Sequence, residues 1–529
     1  MSARLRIFFQ QHPLLRQTLV WSVPAIIIGA LLRLMLLSYS PYAYWGSDSK
    51  SYFSFAHMLL GEGYVSLDEK RRYLYPIFMV PVAALPGAPL KWLAWLQHAL
   101  GLCSMLPLAY VVRKTMSFWK WWIIPVTALY VTIPIFLWYE HELLGEVLFF
   151  SALAWTFAGW VAWVSEKNIT PSRRLFWWFF IPLAVFLLTK PSGRFVVPGI
   201  VCGLAAIRAW RVLDWRRWTA LAVLAAVALT VGSKKQAAWL LYVASFPLTQ
   251  LDSPKHADYK SELRSYAEPY IRDIDAYYLH DKRDKDGNAS PFDFLDSPSE
   301  EKAPPLWSAL DKDPAKKRAL YMDLAIEGIK ARPLSFAYLG AQRLIPSANF
   351  STFDEEHFSS NYYPKKLEGL YEEASKLLAA GKKTSIPMAY GFPKNGPLPP
   401  YADFQKRLAP SPDCWAERSL TAWAHRFDTM SNVVSLPRVP KDAPPLDKAI
   451  TRARPTLLGC WLMASITLAF VRWRTLGVWM VVALGYLAGV FLVSLLSGRY
   501  FAPAWIIFLP ILFLPIDLAL SALVRHRKT

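Results

Sequence analysis

Residues 21–40, WSVPAIIIGALLRLMLLSYS, run into YWGSDSKSYFS at 44–54, and this junction decides the fold. The first stretch is apolar beyond the roughly 7–15 residues of a signal-peptide core, so it reads as a retained membrane anchor. The second turns polar at once and places an acid, Asp48, between two serines at the mouth of that anchor. Further apolar runs follow in a chain of 529 residues, 54% of them hydrophobic. A span needs about 20 predominantly apolar residues. On that rule spans are predicted at 17–40, 92–112, 121–138, 146–164, 175–189, 195–210, 218–240, 455–471, 475–496 and 500–524, about ten helices in all. The expected fold class is therefore an all-α polytopic membrane protein.

The formal net charge is +20, which in a soluble chain would raise the question of nucleic acid. Its distribution argues for topology instead. With the N-terminus inside, the predicted cytoplasmic segments, both termini included, carry eighteen basic residues against two acids, Glu166 and Asp214, as the positive-inside rule expects. Both termini then lie in the cytoplasm, and no nucleic-acid partner is expected. Four cysteines make no disulfide framework, and none has zinc-ligand spacing.

On this topology the outer side holds three short pieces and one long one. The first loop, about 41–91, contains Asp48; the second reads YEHELLGE at 139–146; the third is the turn TKPSGR at 189–194. Between 241 and 454 lies a polar segment too long for a connector, read as a mainly helical extracytoplasmic domain. The chain so divides into 1–240, 241–454 and 455–529. AKKRALYMDLAIEGIKARP (315–333) is its clearest amphipathic helix, and LSFAYLGAQRLI (334–345) suits the membrane interface. The Pro-rich pieces FPKNGPLPP (392–400) and KDAPPLD (441–447) read as loops. DKRDKDGNASPFD (281–293) imitates a calcium loop but puts Lys282 at the first ligand position, so a solvated turn is expected.

An ionisable residue at membrane level is costly and by default a functional candidate. Arg33, in the outer half of the first span, is either a snorkelling cation or a fixed positive charge near Asp48 or an anionic substrate. Lys190 and Arg194 share one tight turn, and Arg499 repeats the arrangement at the last outer turn. Such bases either anchor helix ends or hold a phosphate, lysine as a point charge and arginine as a fork. Glu140, His141, Glu142 and Glu146 crowd the second loop; Glu142 and Glu146 stand four apart and share a helix face. They either complement a helix dipole or orient a substrate.

Order and sidedness together resemble a GT-C glycosyltransferase, the polytopic class that includes protein O-mannosyltransferases and the lipid A aminoarabinose transferase. GSDSKSYFSFAHMLLGEGY (46–64) is similar to that class's first loop, where an acid precedes a Tyr-containing juxtamembrane helix. RRYLYPIFMVPVAALPG (71–87) with LQHALGLCSMLPLAYVVRK (96–114) resembles its approach to the second span. LLGEVLFFSALAW (143–155), LAVFLLTKPSGRFVVP (183–198) and SGRYFAPAWIIFLP (497–510) resemble its acid-led span, its Lys-Pro turn and its Arg-Tyr ending. The resemblance covers roughly the first 210 and the last 75 residues. It departs at the acid, since many members carry paired carboxylates where Asp48 stands between Ser47 and Ser49, so a divalent metal is possible but unsupported by a paired-acid motif.

The resemblance implies transfer of a hexosyl or pentosyl group from a polyprenyl-phosphate donor to a hydroxyl of a glycan, lipid or protein acceptor, on the outer face of the cytoplasmic membrane. It implies inversion at the anomeric carbon, with Asp48 as base. Lys190, Arg194 and Arg499 would hold the phosphate, while Arg33, Glu142 and Glu146 would bind substrate. Two other classes stay open. One is an O-antigen ligase or polymerase, whose bases would lie in the long segment, with Arg332 and Arg343 as candidates. The other is a transporter or flippase for lipid-linked sugars, for which internal repeats and midplane polar groups are the usual signs.

Overall fold

A computed structural model describes residues 13–45, 49–60, 74–85, 87–165, 173–207, 213–230, 238, 241–242, 244–272, 313–347, 362–380, 390, 392, 398–408, 415–431, 460–493 and 498–526. Asp48, Asp68, Glu69, the calcium-like turn at 281–293 and the side chains of Arg343 and Arg499 lie outside the residues and side chains described. The described residues are helical apart from turns and one isolated bridge, Tyr44 to Glu142.

The described helices before residue 231 are α1 (Pro13–Tyr39), α2 (Ser49–Leu59), α3 (Leu74–Ala83), α4 (Pro89–Cys103), α5 (Met105–Thr115), α6 (Trp119–Thr132), α7 (Pro134–His141), α8 (Glu146–Val164), α9 (Arg173–Thr189), α10 (Val197–Ala206) and α11 (Trp215–Thr230). Then come α12 (Ala257–Arg272), α13 (Pro314–Ala331), α14 (Pro333–Ser347), α15 (Tyr362–Ala379), α16 (Tyr401–Leu408), α17 (Trp415–Ser431), α18 (Val478–Val493), α19 (Gly498–Ile511) and α20 (Leu514–His526). By contacts the chain forms two units, one of 1–232, 348–486 and 498–529, the other of 233–347 and 487–497. The polar segment expected at 241–454 is thus shared between them. Within the first unit, Tyr390 packs against Tyr42 and Trp45, at ring separations of 6.0 and 6.3 Å.

Five described helical runs are long and apolar enough to cross a membrane: Arg16–Tyr39, Pro89–Thr115, Glu146–Val164, Cys460–Val490 and Ala502–His526. The span expected at 121–138 is broken instead. Pro134 has no N–H to continue α6 and holds Ile133 extended, so α6 and α7 meet at 49°. The predicted spans at 175–189 and 195–210 appear as shorter apolar helices, and the first-loop stretch at Leu74–Ala83 forms another. The two spans expected at 455–471 and 475–496 fall largely on the run Cys460–Val490, which turns sharply at 470–477. A Cβ on Gly477 would lie 3.3 Å from Phe470 Cα, whereas seven residues of straight helix rise about 10 Å.

The packing follows membrane rules. One face of α1 (Val20, Ile27, Ile28, Leu31, Leu34) is exposed, as a lipid-facing surface would be, while Ala25, Arg33 and Leu36 are buried. The backbones of α8 and α9 approach so closely that a Cβ on Gly159 would lie 2.7 Å from Phe179 Cα, the kind of contact small residues permit in place of a hydrophobic drive. At the α5–α6 turn, buried Asp517 of α20 accepts hydrogen bonds from Ser117 N, Phe118 N and Trp122 Nε1 at 3.0, 2.8 and 3.1 Å. That carboxylate fixes the turn and, through it, the register of α6 against its neighbours.

Candidate functional site

The stretch YEHELLGE, expected as a short outer loop, is largely buried. α7 runs through Glu140 to His141, and α8 opens at a buried Glu146. Burial of these groups is tolerable because partners from distant helices meet them.

Arg33 of α1 points its Nη2 at Glu140 Oε1, 2.5 Å away, while its Nη1 donates to the carbonyls of Gly29 and Val131 at 2.9 and 3.3 Å. The guanidinium is therefore a fixed internal cation, not one extended to the membrane surface. The other carboxylate oxygen, Oε2, lies 3.0 Å from His98 Nδ1 of α4. His98 Nε2 in turn lies 2.9 Å from His141 Nδ1, and His141 Nε2 lies 3.2 Å from Ser40 Oγ. Glycine makes room for this arrangement. A Cβ on Gly101, one turn after Gln97 and His98, would come within 2.7 Å of Glu140 Cγ and closer still to its carboxylate.

A second set of bonds orders the described residues on either side of Asp48. Gln97 Nε2 donates to the carbonyls of Glu140 and Glu142, at 3.1 and 2.8 Å, and Tyr75 Oη donates to Gln97 Oε1 at 2.7 Å. The amide thus clamps the end of α7. Against that clamped segment, Tyr44 N donates to His141 O at 2.7 Å and Leu143 N donates to Tyr44 O at 2.8 Å. Ser49 Oγ donates to Leu143 O at 2.9 Å. Both flanks of the acid loop, at Tyr44 and Ser49, are therefore tied to residues 141–143.

Three residues further on, Glu146 forms a buried ion pair with Lys190 Nζ. Lys190 precedes the 3₁₀ turn Pro191–Val196, where Arg194, half-buried, stands over the Phe195 ring at 5.2 Å. Gly145, Thr189 and Tyr75 converge there, since a Cβ on Gly145 would touch both Thr189 and Tyr75 at 3.5 Å. The expected site residues accordingly fall into groups. The flanks of Asp48, Glu142, and the Glu146–Lys190 pair gather around residues 141–146, and Arg33 belongs to the buried layer with Glu140. Arg194 shares the turn after Lys190. The backbone of Arg499 lies in the first turn of α19. Arg332 caps the end of α13 and is exposed.

Sequence reasoning passed over Gln97, His98 and Tyr75, and it treated Glu140 as one of three acids in the second loop. The signal available was LQHALG, two polar side chains inside an apolar helix, which at membrane depth marks a candidate by default. Among the described residues no group of three or more His, Cys, Asp or Glu side chains is arranged to hold a metal. The pairings within the buried layer explain why His98 and His141 spend their nitrogens on neighbours.

No family model and no curated protein matches the chain. Among solved structures it is similar to ArnT from Cupriavidus metallidurans bound to undecaprenyl phosphate, at 13% identity and a TM-score of 0.30, over 94% of this chain and 77% of that one. A likeness that slight leaves the chemistry to be argued from this chain's own residues.

Proposed function

We propose that the chain is a membrane glycosyltransferase of the GT-C type that moves one sugar from a polyprenyl-phosphate donor to an acceptor hydroxyl at the extracytoplasmic surface. In this reading the acceptor oxygen attacks the anomeric carbon, the bond from that carbon to the phosphate oxygen breaks, and the hydroxyl proton passes to Asp48. The leaving polyprenyl phosphate needs little protonation, so the protein's tasks are base assistance and charge stabilisation. Lys190, at rest on Glu146, would turn toward the incoming phosphate, with Arg194 in the same turn and Arg499 completing the cationic set. Glu142 and Glu146 would orient the acceptor or the sugar.

One observation carries the reading: the loop bearing Asp48 is tethered at both flanks to the segment that leads into Glu146, whose partner is Lys190. The described flanks of the acid's loop and a base-bearing turn, far apart in sequence, so meet one short segment, residues 141–146. The test is transfer of labelled sugar from polyprenyl-phosphate donors by the protein in lipid nanodiscs. Asp48→Asn should cut turnover by at least about 10²-fold, the low end of what general-base help supplies. Normal turnover in that variant would remove the base from the scheme.

A further inference from the structure

The chain Ser40–His141–His98–Glu140 plays no part in the transfer just described, yet its geometry is unlike that of a simple ion pair. Each imidazole uses both ring nitrogens within the row, at 3.2, 2.9 and 3.0 Å along its length. All four residues are buried, and they come from three separate places: the residue after α1, α4 and α7. A neutral imidazole is a donor at one nitrogen and an acceptor at the other, so fixing one end of the row fixes every hydrogen in it.

With Glu140 as carboxylate, His98 Nδ1–H donates to it, His141 Nδ1–H donates to His98 Nε2, and Ser40 Oγ–H donates to His141 Nε2. With Glu140 protonated, every bond reverses: its O–H donates to His98 Nδ1, His98 Nε2–H to His141 Nδ1, and His141 Nε2–H to Ser40 Oγ. Both arrangements give every nitrogen and oxygen of the row a hydrogen-bond partner, and both keep the two rings neutral. They differ by one proton.

We infer that this row is a proton relay whose reservoir is Glu140, filled from the end of the first helix that leads into the Asp48 loop. A proton arriving at Ser40 Oγ releases the serine's own proton to His141 Nε2. His141 Nδ1–H passes to His98 Nε2, and His98 Nδ1–H passes to Glu140 Oε2. At each centre one bond to hydrogen forms as another breaks, so the net change is a single proton moved inward to the carboxylate. The reverse sequence empties the reservoir.

The surroundings suit brief storage. Arg33 holds Glu140 Oε1 and leaves Oε2 to the relay, so the site is a neutral ion pair when empty and carries one net positive charge when full. A lone buried cation is costly, which drives the proton back out once the reaction at the mouth is complete. Seven residues of helix separate Arg33 from Ser40, so the reservoir sits about 10 Å along the axis from the mouth. The inference rests on the proposed transferase activity only for the source of the proton, the acceptor hydroxyl.

Nuclear magnetic resonance on the ¹⁵N-histidine-labelled full chain in nanodiscs tests the row directly. A through-hydrogen-bond nitrogen–nitrogen coupling between His141 Nδ1 and His98 Nε2 is expected, and its absence would overturn the relay with no variant involved. His98→Asn tests function, since its amide can still donate to Glu140 but cannot pass a proton through. Turnover should fall roughly 10²-fold with KM unchanged, the lower end of acid–base assistance, while loss of the bond to His141 lowers the melting temperature. The wild type should show a solvent deuterium isotope effect on kcat that this variant alters. Wild-type turnover in His98→Asn would reduce the row to a static clamp and overturn the inference. If the wild type itself transfers no sugar, the transferase reading fails, and the relay stands or falls on the nitrogen–nitrogen coupling.

Discussion

Gly101→Ala is the sharpest probe of the buried layer, because it adds one methyl group and replaces no charged residue. The new Cβ would lie 2.7 Å from Glu140 Cγ, and nearer to the carboxylate, where ordinary contact is about 3.5–4 Å. Cγ must retreat by roughly 0.8 Å or more, and the carboxylate by more than an ångström. A shift of that size takes the 2.5 Å bond to Arg33 and the 3.0 Å bond to His98 out of hydrogen-bond range. Parting one member from a buried ion pair costs about 3–5 kcal/mol. The gain in helix propensity from Gly to Ala returns at most about 1 kcal/mol. The net expectation is a loss of about 2–4 kcal/mol, read as earlier unfolding in detergent or nanodiscs. Gly369→Ala, where no atom stands within 4 Å of the added Cβ, is the control and should be neutral or slightly stabilising. The shorter Glu140→Asp should suffer less from the added methyl, so the double variant should lose less than the sum of the two single changes. If Gly101→Ala melts with the wild type, Glu140 does not occupy the space between α4 and α7, and the account of the buried layer fails with it.

Lys190→Ala should impair donor binding and also destabilise, because it strands buried Glu146; adding Glu146→Gln should recover the melting temperature but not donor affinity, and full affinity in Lys190→Ala would return Lys190 to helix anchoring. Lys190→Arg keeps the charge with altered geometry and should retain part of the activity. Asp68→Asn and Glu69→Gln, later in the Asp48 loop, should turn over normally; a dead variant here beside an active Asp48→Asn would move the base within the loop. In the 233–347 unit, hydrogen bonds from His256 and then Lys255 hold the Asp323 carboxyl below its ordinary value. Such a lowered group stabilises above its unfolded pKa and loses that contribution as pH falls through the folded one, so unfolding on acidification below about pH 3.9 should be shallower in Asp323→Asn. Glu327 is pushed up by burial but drawn down overall by Lys260 and Ser253, and Glu327→Gln should change the same acid limb in the same direction. For topology, a Ser290→Cys chain freed of its own cysteines should react with an impermeant thiol reagent from the extracytoplasmic side. Reaction only after lysis of the inner membrane would reverse the site assignment.

The helices were legible because each is a local matter. Glu146–Val164 coincides with the span expected from hydropathy, since about 20 apolar residues in a row have few alternatives to a membrane helix. The proline that breaks 121–138 is visible in the sequence, but the 49° that it produces is not, because the bend depends on what α7 packs against. Asp48 stood out by its position at a span's mouth. The tether that holds its loop did not, since it is made by Tyr44 and Ser49 with residues almost a hundred positions away.

Charge shows the division most clearly. Composition and spacing identified Arg33, Glu142, Glu146, Lys190 and Arg194 as costly groups in or beside apolar helices, and so as candidates. What each does was decided by its partner: Arg33 takes Glu140 across 107 residues, and Lys190 takes Glu146 across 44. A buried charge is tolerated only where an opposite charge and hydrogen bonds meet it within a few ångströms, and separation along the chain carries no information about that distance. The sequence alone therefore determined which residues need explaining, through the cost of placing them among apolar neighbours. The tertiary structure alone decided which of them neutralise one another and which row of nitrogens and oxygens can pass a proton, because both depend on helix ends brought together by packing.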